Sequence, residues 1–171
     1  MKNQAATIVI FGASGDLTQR KLLPAIHSLG CEGLLPEGTR VVGVARRPLA
    51  DSEFRARMYE GVENYSRHSP RVCKLWGDFQ DCVTYLAGEY DDPRTYSALT
   101  ARLRAHAAAG TGGNCLFYLA TPPDLSPLLL GKLGEAGLNR EHEGWRRIIV
   151  EKPFGRDLAS ARELNRLVHS S

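Results

Sequence analysis

No apolar run in this chain approaches the roughly 18–20 residues that a helix needs to cross a bilayer. The opening Met1-Lys2-Asn3-Gln4 leads straight into a β-branched strand instead of the apolar core of a signal peptide. No membrane partner and no export are expected, and the sequence reads as that of a cytoplasmic protein. Charge of one sign is also scarce. The 22 Lys and Arg against 19 Asp and Glu leave a net charge of +3, and the basic residues are dispersed. That excludes the basic footprint of a nucleic-acid binder. The four cysteines, Cys31, Cys73, Cys82 and Cys115, make no C-x-x-C pair, and no histidine reads as standing at zinc-ligand spacing from them. They are expected to be buried or half-buried thiols in a reducing compartment, with no metal bound. His27, His68, His106, His142 and His169 form no H-E-x-x-H or triad-like spacing, and each is expected at the surface or at a helix end. There is no G-x-S-x-G elbow and no Walker A lysine, which removes two large classes of hydrolytic and phosphoryl-transfer chemistry. Internal repeats and low-complexity segments are absent.

What is present is an ordinary globular balance, with 43% apolar and 24% charged residues in 171, enough for one domain with a sizeable core. Strand and helix patterns alternate from end to end. Thr7–Phe11, Arg40–Ala45, Val83–Ala87, 115–121 and 147–151 read as strands. The segments 16–29, 51–66, 93–109, 125–136 and 157–169 read as helices. Pro24 is expected to start or kink the regular part of the first helix. Asp51 or Ser52 is expected to cap the second. Tyr96, Leu99 and Leu103 share one face of the third. Pro122-Pro123 and Pro153 stop their strands, and 67–80 reads as loop with one short helix. Near-continuous apolar strands separated by helices predict an α/β fold. The expected architecture is a doubly wound parallel sheet, Rossmann-like, with helices on both faces.

The run Ile8-Val9-Ile10-Phe11-Gly12-Ala13-Ser14-Gly15-Asp16-Leu17 is a strand, a glycine turn and a helix start. That arrangement aims backbone N–H groups and a positive helix end at one point, where a phosphate fits. Gly12 makes the tight turn, Gly15 lets a pyrophosphate approach the backbone, and Thr18 occupies the place of a small packing residue. A βα turn that binds nothing has the same spacing. In open α/β sheets ligands bind at the carboxyl ends of the strands. Those ends carry Gly12–Leu17, then Arg46-Arg47-Pro48, then Thr121-Pro122-Pro123, then Glu151-Lys152-Pro153-Phe154. A carboxylate after the second strand would favour NAD. Arg46 and Arg47 stand there instead, where they pair with a 2′-phosphate and favour NADP, although solvated surface arginines look the same in sequence. This strand end lies further from the turn than the usual ~20 residues, a difference that the loop 31–39 accounts for as an insertion. Lys152 could hold a substrate phosphate or hydroxyl, Pro153 could fix its backbone through a cis bond, and Lys21 could lean toward the same cleft.

These residues spell a family. Gly12-Ala13-Ser14-Gly15-Asp16-Leu17, Gln19-Arg20-Lys21, Val44-Ala45-Arg46, Gly88-Glu89-Tyr90-Asp91-Asp92, Phe117-Tyr118-Leu119-Ala120-Thr121-Pro122-Pro123 and Glu151-Lys152-Pro153-Phe154-Gly155 together resemble the glucose-6-phosphate dehydrogenases, collinearly over the whole chain. The resemblance implies oxidation of glucose 6-phosphate at C1 with hydride passing to NADP, the first step of the pentose phosphate pathway. It implies that Gly12, Ser14, Gly15, Asp16 and Leu17 line the coenzyme phosphates and that Arg46, beside Arg47, meets the 2′-phosphate. Thr121 and Pro122 are expected with them at the coenzyme site. The resemblance further implies that Lys21 and Lys152 face glucose 6-phosphate and that Lys152 also lies near the nicotinamide. Family members continue into a second domain, opening R-I-D-H-Y-L-G-K, which carries the histidine base, much of the substrate-phosphate site and the homo-oligomer interface. Residues 1–171 are therefore expected to be the NADP-binding domain alone, inactive by itself, with the base beyond Ser171. Two other readings of the motifs are a two-domain sugar oxidoreductase of the inositol or glucose–fructose oxidoreductase type, and a non-catalytic NADP-binding module.

Overall fold

The computed structural model describes residues 4–142 and 144–153, with Leu158, Ala161, Arg162, Asn165 and Arg166. The strands are β1 (Thr7–Phe11), β2 (Arg40–Ala45), β3 (Val83–Ala87), β4 (Cys115–Leu119) and β5 (Arg146–Val150). All pair in parallel, in the order β3-β2-β1-β4-β5. The helices are α1 (Leu23–Cys31), α2 (Asp51–Tyr65), α3 (Leu75–Phe79), α4 (Pro93–His106) and α5 (Ser126–Glu135). None of them is long and apolar enough to cross a membrane. The expected helix at 157–169 lies outside the described residues apart from isolated positions.

Alternation along each strand divides the core between the two faces of the sheet. Val9, Phe11, Val42, Val44, Phe117 and Leu119 pack on one face with Tyr96 and Leu99 of α4 and Leu129 and Leu133 of α5. Ile10, Val41, Ala45, Val83 and Tyr85 pack on the other with Leu23 and Ile26 of α1, Phe54 and Met58 of α2, and Trp76 and Phe79 of α3. Each such side chain, fully buried, contributes about 1.5–3 kcal/mol relative to exposure. This is the doubly wound, Rossmann-like arrangement that the strand composition predicts. Its order places β2 and β3 on one side of β1 and β4 and β5 on the other. The connections therefore reverse direction between β1 and β4, and the crevice opens at the carboxyl ends of those two strands.

Local chemistry sets the helix boundaries. A π-helical turn, Thr18–Leu22, runs directly into α1, with Pro24 at the start of the α-helical part. A proline here has no N–H and would crowd the carbonyl four residues back, and the widened turn relieves both. The expected cap of α2 is corrected. The N-cap is Ala50, whose N–H donates to Glu53 Oε2 at 2.7 Å. The Asp51 carboxylate instead accepts from the Tyr85 amide at 2.6 Å and ties α2 to β3. α4 ends at His106 and continues as a π turn, Ala107–Thr111, through Gly110 at φ 114°.

One expectation about soft side chains is overturned and another holds only in part. Cys31 and Cys73 form a disulfide with Cα atoms 6.0 Å apart, leaving Cys82 and Cys115 as the free thiols. Burial pushes the Cys115 thiol up to about 12. His27 and His106 are buried in the core, at 0% and 7% exposure, although His106 does stand at a helix end, the last residue of α4. Burial, with Arg40 and Arg102 nearby, pushes His106 down to about 4, and its Nδ1 lies 3.2 Å from Thr7 Oγ1.

Thr18 carries a cost that can be measured. It is fully buried, and its hydroxyl has no hydrogen-bond partner among the described residues. An unsatisfied buried hydroxyl costs about 1–3 kcal/mol. Thr18→Val keeps the shape and removes the polar atom, so urea unfolding should show a gain of about 1 kcal/mol. A stability loss of that size would mean that the hydroxyl is satisfied in solution.

Candidate coenzyme-binding site

The turn after β1 is held by its own backbone. The amides of Gly12 and Ala13 donate to the Val44 carbonyl at 2.9 and 3.3 Å, and Gly15 donates to Gly12 at 3.0 Å. These bonds bend the chain sharply enough that a helix opens at Asp16. The first amides of a helix have no acceptor within it, and they carry the positive end of its dipole. Gly12 sits at φ +82°, with the Ala120 carbonyl and Thr121 Cγ2 where a side chain would begin. The end of β4 is therefore pressed against the turn, which places Thr121 beside Gly12. The Thr121 hydroxyl is buried and has no hydrogen-bond partner among the described residues. Gly15, Asp16 and Leu17 are exposed, open to a ligand.

Arg46, exposed at the end of β2, lies with its guanidinium 5.7 Å from the centroid of Tyr90. Tyr90 packs edge-on against Phe11, ring centroids 6.1 Å apart. Burial raises the Tyr90 phenol, while the Gly12 backbone and Arg46 pull it down, which puts all three in one neighbourhood. Arg57 of α2 donates to the Ser14 carbonyl at 3.3 Å. Tyr85 donates to the Arg47 carbonyl at 2.6 Å. Burial raises the Tyr85 phenol, and Ser14, Arg57 and Arg47 oppose that shift. Three arginines thus surround the glycine turn on its β2 side. Tyr90, Tyr85 and Arg57 were not among the expected site residues. Tyr90 lies inside the Gly88–Asp92 motif, so a signal existed for it. Arg57 carried none, since it reaches the turn only once α2 has docked.

The two lysines stand apart. Lys21 is exposed and lines a groove with Arg20, Tyr65 and Arg67, between α1 and the end of α2. Lys152 is exposed beyond β5, and the Lys152–Pro153 bond is cis. No contact joins them among the described residues. Beside Lys152, Glu151 accepts a hydrogen bond from Tyr118 of β4. Burial, then that carboxylate, pushes the phenol up to about 12. The bond fixes the chain at the end of β5.

A parallel sheet with a glycine turn and helix start at its switch point, bordered by arginines, defines a dinucleotide-binding domain of the Rossmann-like class. The comparisons narrow this. The family described as "Glucose-6-phosphate dehydrogenase, NAD binding domain" matches residues 9–171, and the chain belongs to that family. It is 42% identical over 170 residues to the glucose-6-phosphate 1-dehydrogenase of Aggregatibacter actinomycetemcomitans, covering 99% of this chain and 34% of the relative. It is 39% identical over 165 residues to glucose-6-phosphate 1-dehydrogenase 2 of Mycobacterium bovis, covering 95% and 32%. A solved glucose-6-phosphate dehydrogenase in complex with its substrate glucose-6-phosphate superposes with a TM-score of 0.86 at 34% identity, covering 99% of this chain and 35% of that one. The chain thus spans about a third of the length of the relatives it matches. The family is one of oxidoreductases with a nucleotide cofactor, and the inositol and glucose–fructose oxidoreductase alternative is not favoured.

Proposed function

We propose that this chain is the NADP-binding domain of an enzyme that oxidises glucose 6-phosphate at C1 to 6-phosphogluconolactone. The observation that carries the reading is Arg46, held over Tyr90 beside the glycine turn, where NAD-specific sites place a carboxylate. The residues present suit a dinucleotide: a Gly12 cradle that a Cβ would fill, and a buried Thr121 hydroxyl awaiting a partner. The chemistry drawn from NADP is acceptance of the hydride leaving C1. The amides of Ser14, Asp16 and Leu17, which the turn's own bonds leave over, would hold the pyrophosphate, with Gly12 and Gly15 letting it approach the backbone. Arg46 and Arg47 would hold the 2′-phosphate. Thr121 and Pro122 would line the coenzyme from the β4 side. Lys152 would face both the nicotinamide end and glucose 6-phosphate, and Lys21 the substrate. The general base, much of the substrate-phosphate site and the homo-oligomer contacts belong in this proposal to sequence outside these residues. A cytoplasmic location is part of the same reading, supported by the resemblance.

The chain should bind NADP more tightly than NAD. A charge-assisted hydrogen bond worth about 1.5–3 kcal/mol corresponds to roughly 10- to 150-fold in affinity. Calorimetric titration of both coenzymes checks it, and Arg46→Ala should erase most of the difference. Equal affinities, or an Arg46→Ala variant that keeps the preference, would remove Arg46 from the 2′-phosphate.

A further inference from the structure

α1 runs back from the glycine turn, so its last turn lies at the sheet edge opposite the coenzyme. His27 and Cys31 stand there at i and i+4, on one face of the helix. Cys73, from the segment between α2 and α3, meets them in the disulfide with Cys31. One ring nitrogen and the two sulfurs all lie within 4.8 Å of one another. The spacing His27-x3-Cys31 is itself a ligand spacing, which the sequence reading passed over. Both His27 ring nitrogens stand 3.7 Å from Cys31 Sγ, and the fully buried ring makes no other hydrogen bond among the described residues. Buried polar groups normally have a strong partner. A disulfide sulfur at this distance is a weak acceptor.

We propose that, once the Cys31–Cys73 disulfide is reduced, His27, Cys31 and Cys73 bind one soft divalent cation, with Zn²⁺ as the reference ion, and that closure of the disulfide expels it. Two thiolates and an imidazole are the donor set that such a cation prefers, with water as a fourth ligand. Zinc bonds of about 2.1 Å to nitrogen and 2.3 Å to sulfur, at the tetrahedral angle, hold the two atoms about 3.6 Å apart. The His27–Cys31 separation of 3.7 Å already matches that edge. The two equal distances leave Sγ off the axis of either ring nitrogen, so binding also turns the His27 ring, while the sulfurs part to about 3.8 Å when their bond is gone. A dithiol reductant breaks the bond, becoming a cyclic disulfide as the protein gains two thiols. On binding, each thiol loses a proton as its S–Zn bond forms, and no electron moves. Hydrogen peroxide reverses the state: the thiolates give up two electrons and form S–S, the O–O bond breaks and takes up two protons to give two waters, and the cation leaves. The site would fasten the end of α1, which continues from the glycine turn through the π turn Thr18–Leu22, to the segment behind α2. It does not depend on which coenzyme binds.

The test uses the 171-residue chain, reduced with a phosphine and then freed of reductant and metal. Titration with Co²⁺ should saturate at one ion per chain. It should give a thiolate-to-cobalt charge-transfer band and the visible bands of tetrahedral cobalt, both displaced by Zn²⁺. The peroxide-treated chain, with its disulfide verified by mass and thiol count, should give neither. Losing a group behind a metal ligand typically costs about 10- to 100-fold in affinity, so Cys31→Ser and Cys73→Ser should each weaken Zn²⁺ at least about 100-fold. Cys82→Ser should change nothing, and His27→Gln should shift the visible bands while keeping charge transfer. Absence of the bands in the reduced wild-type chain overturns the proposal. So does their persistence after peroxide treatment, or their loss in Cys82→Ser. The redox comparison needs no substitution, so a misfolded variant cannot mask the answer.

Discussion

Gly12→Ala should lose measurable coenzyme binding and destabilise the chain by about 2–5 kcal/mol, the sum of a left-handed backbone and an overpacked contact. The first part comes from φ +82°, a region that L side chains rarely adopt. The second comes from position. The added Cβ would overlap the Ala120 carbonyl oxygen and stand 2.8 Å from its carbon. That carbonyl cannot swing aside cheaply, because the Ala120 amide donates to Phe11 at 2.9 Å and closes the pairing of β1 with β4. Yielding at this contact opens the sheet at its switch point and moves Thr121 away from the turn. Gly15→Ala is the control. Its Cβ would meet only the Gly12 carbonyl, at 3.2 Å, and would otherwise point into the open face. Gly15→Ala should therefore keep near-normal stability while obstructing the pyrophosphate. Urea unfolding and calorimetric titration of the two variants separate fold from site. A Gly12→Ala chain with unchanged midpoint and affinity would show that the close approach to β4 is not maintained in solution.

The parts legible in the sequence are those encoded over short distances. Apolar strands interrupted by helical periods predict the sheet, because each strand is buried on two faces. The positions of Gly12, Gly15 and Pro24 are legible because backbone conformation is decided within a few residues. What escaped depends on contacts between distant segments. Ala50 caps α2 because β3 recruits the Asp51 carboxylate for the Tyr85 amide, 34 residues away. Arg57 touches Ser14 across 43 residues, after α2 docks. The pairing of Cys31 with Cys73 spans 42 residues and ends in the 67–80 stretch that carried no periodic signal. His27 and His106 were expected at the surface or at a helix end; His106 does end α4, yet both lie on the inward stripe of their helices. Their burial follows from that stripe, and residue type alone misjudged it.

The same placement of histidines predicts that the 171-residue chain binds NADP and leaves glucose 6-phosphate unoxidised. Hydride departs from C1 as the C1 hydroxyl gives up its proton, so a base must stand at the carboxyl edge of the sheet beside the nicotinamide. His106 touches Thr7, the first residue of β1, at the opposite edge. His68 is paired with Glu32 at 3.2 Å, past the end of α1, and His27 lies in that same last stretch of helix. His142 precedes β5, again at the amino edge. His169 lies outside the described residues. Of the carboxylates at the correct edge, Asp16 sits beside the glycine turn, Glu151 is engaged by the Tyr118 hydroxyl and Asp92 is paired with Arg94. Glu89 and Asp91 follow β3 at the far side of the sheet, and Asp124 lies in the turn that leads into α5. A general base is typically worth about 10²–10⁴-fold, and lost substrate positioning adds to that deficit. Against the roughly 1–10³ per second of ordinary enzymes, turnover should fall by at least about 10⁴-fold. NADPH absorbance at high chain concentration measures it directly, once titration has shown the chain saturated with NADP. Turnover within about 100-fold of ordinary enzymes would place a competent base within these residues and overturn the assignment of this chain to coenzyme binding alone.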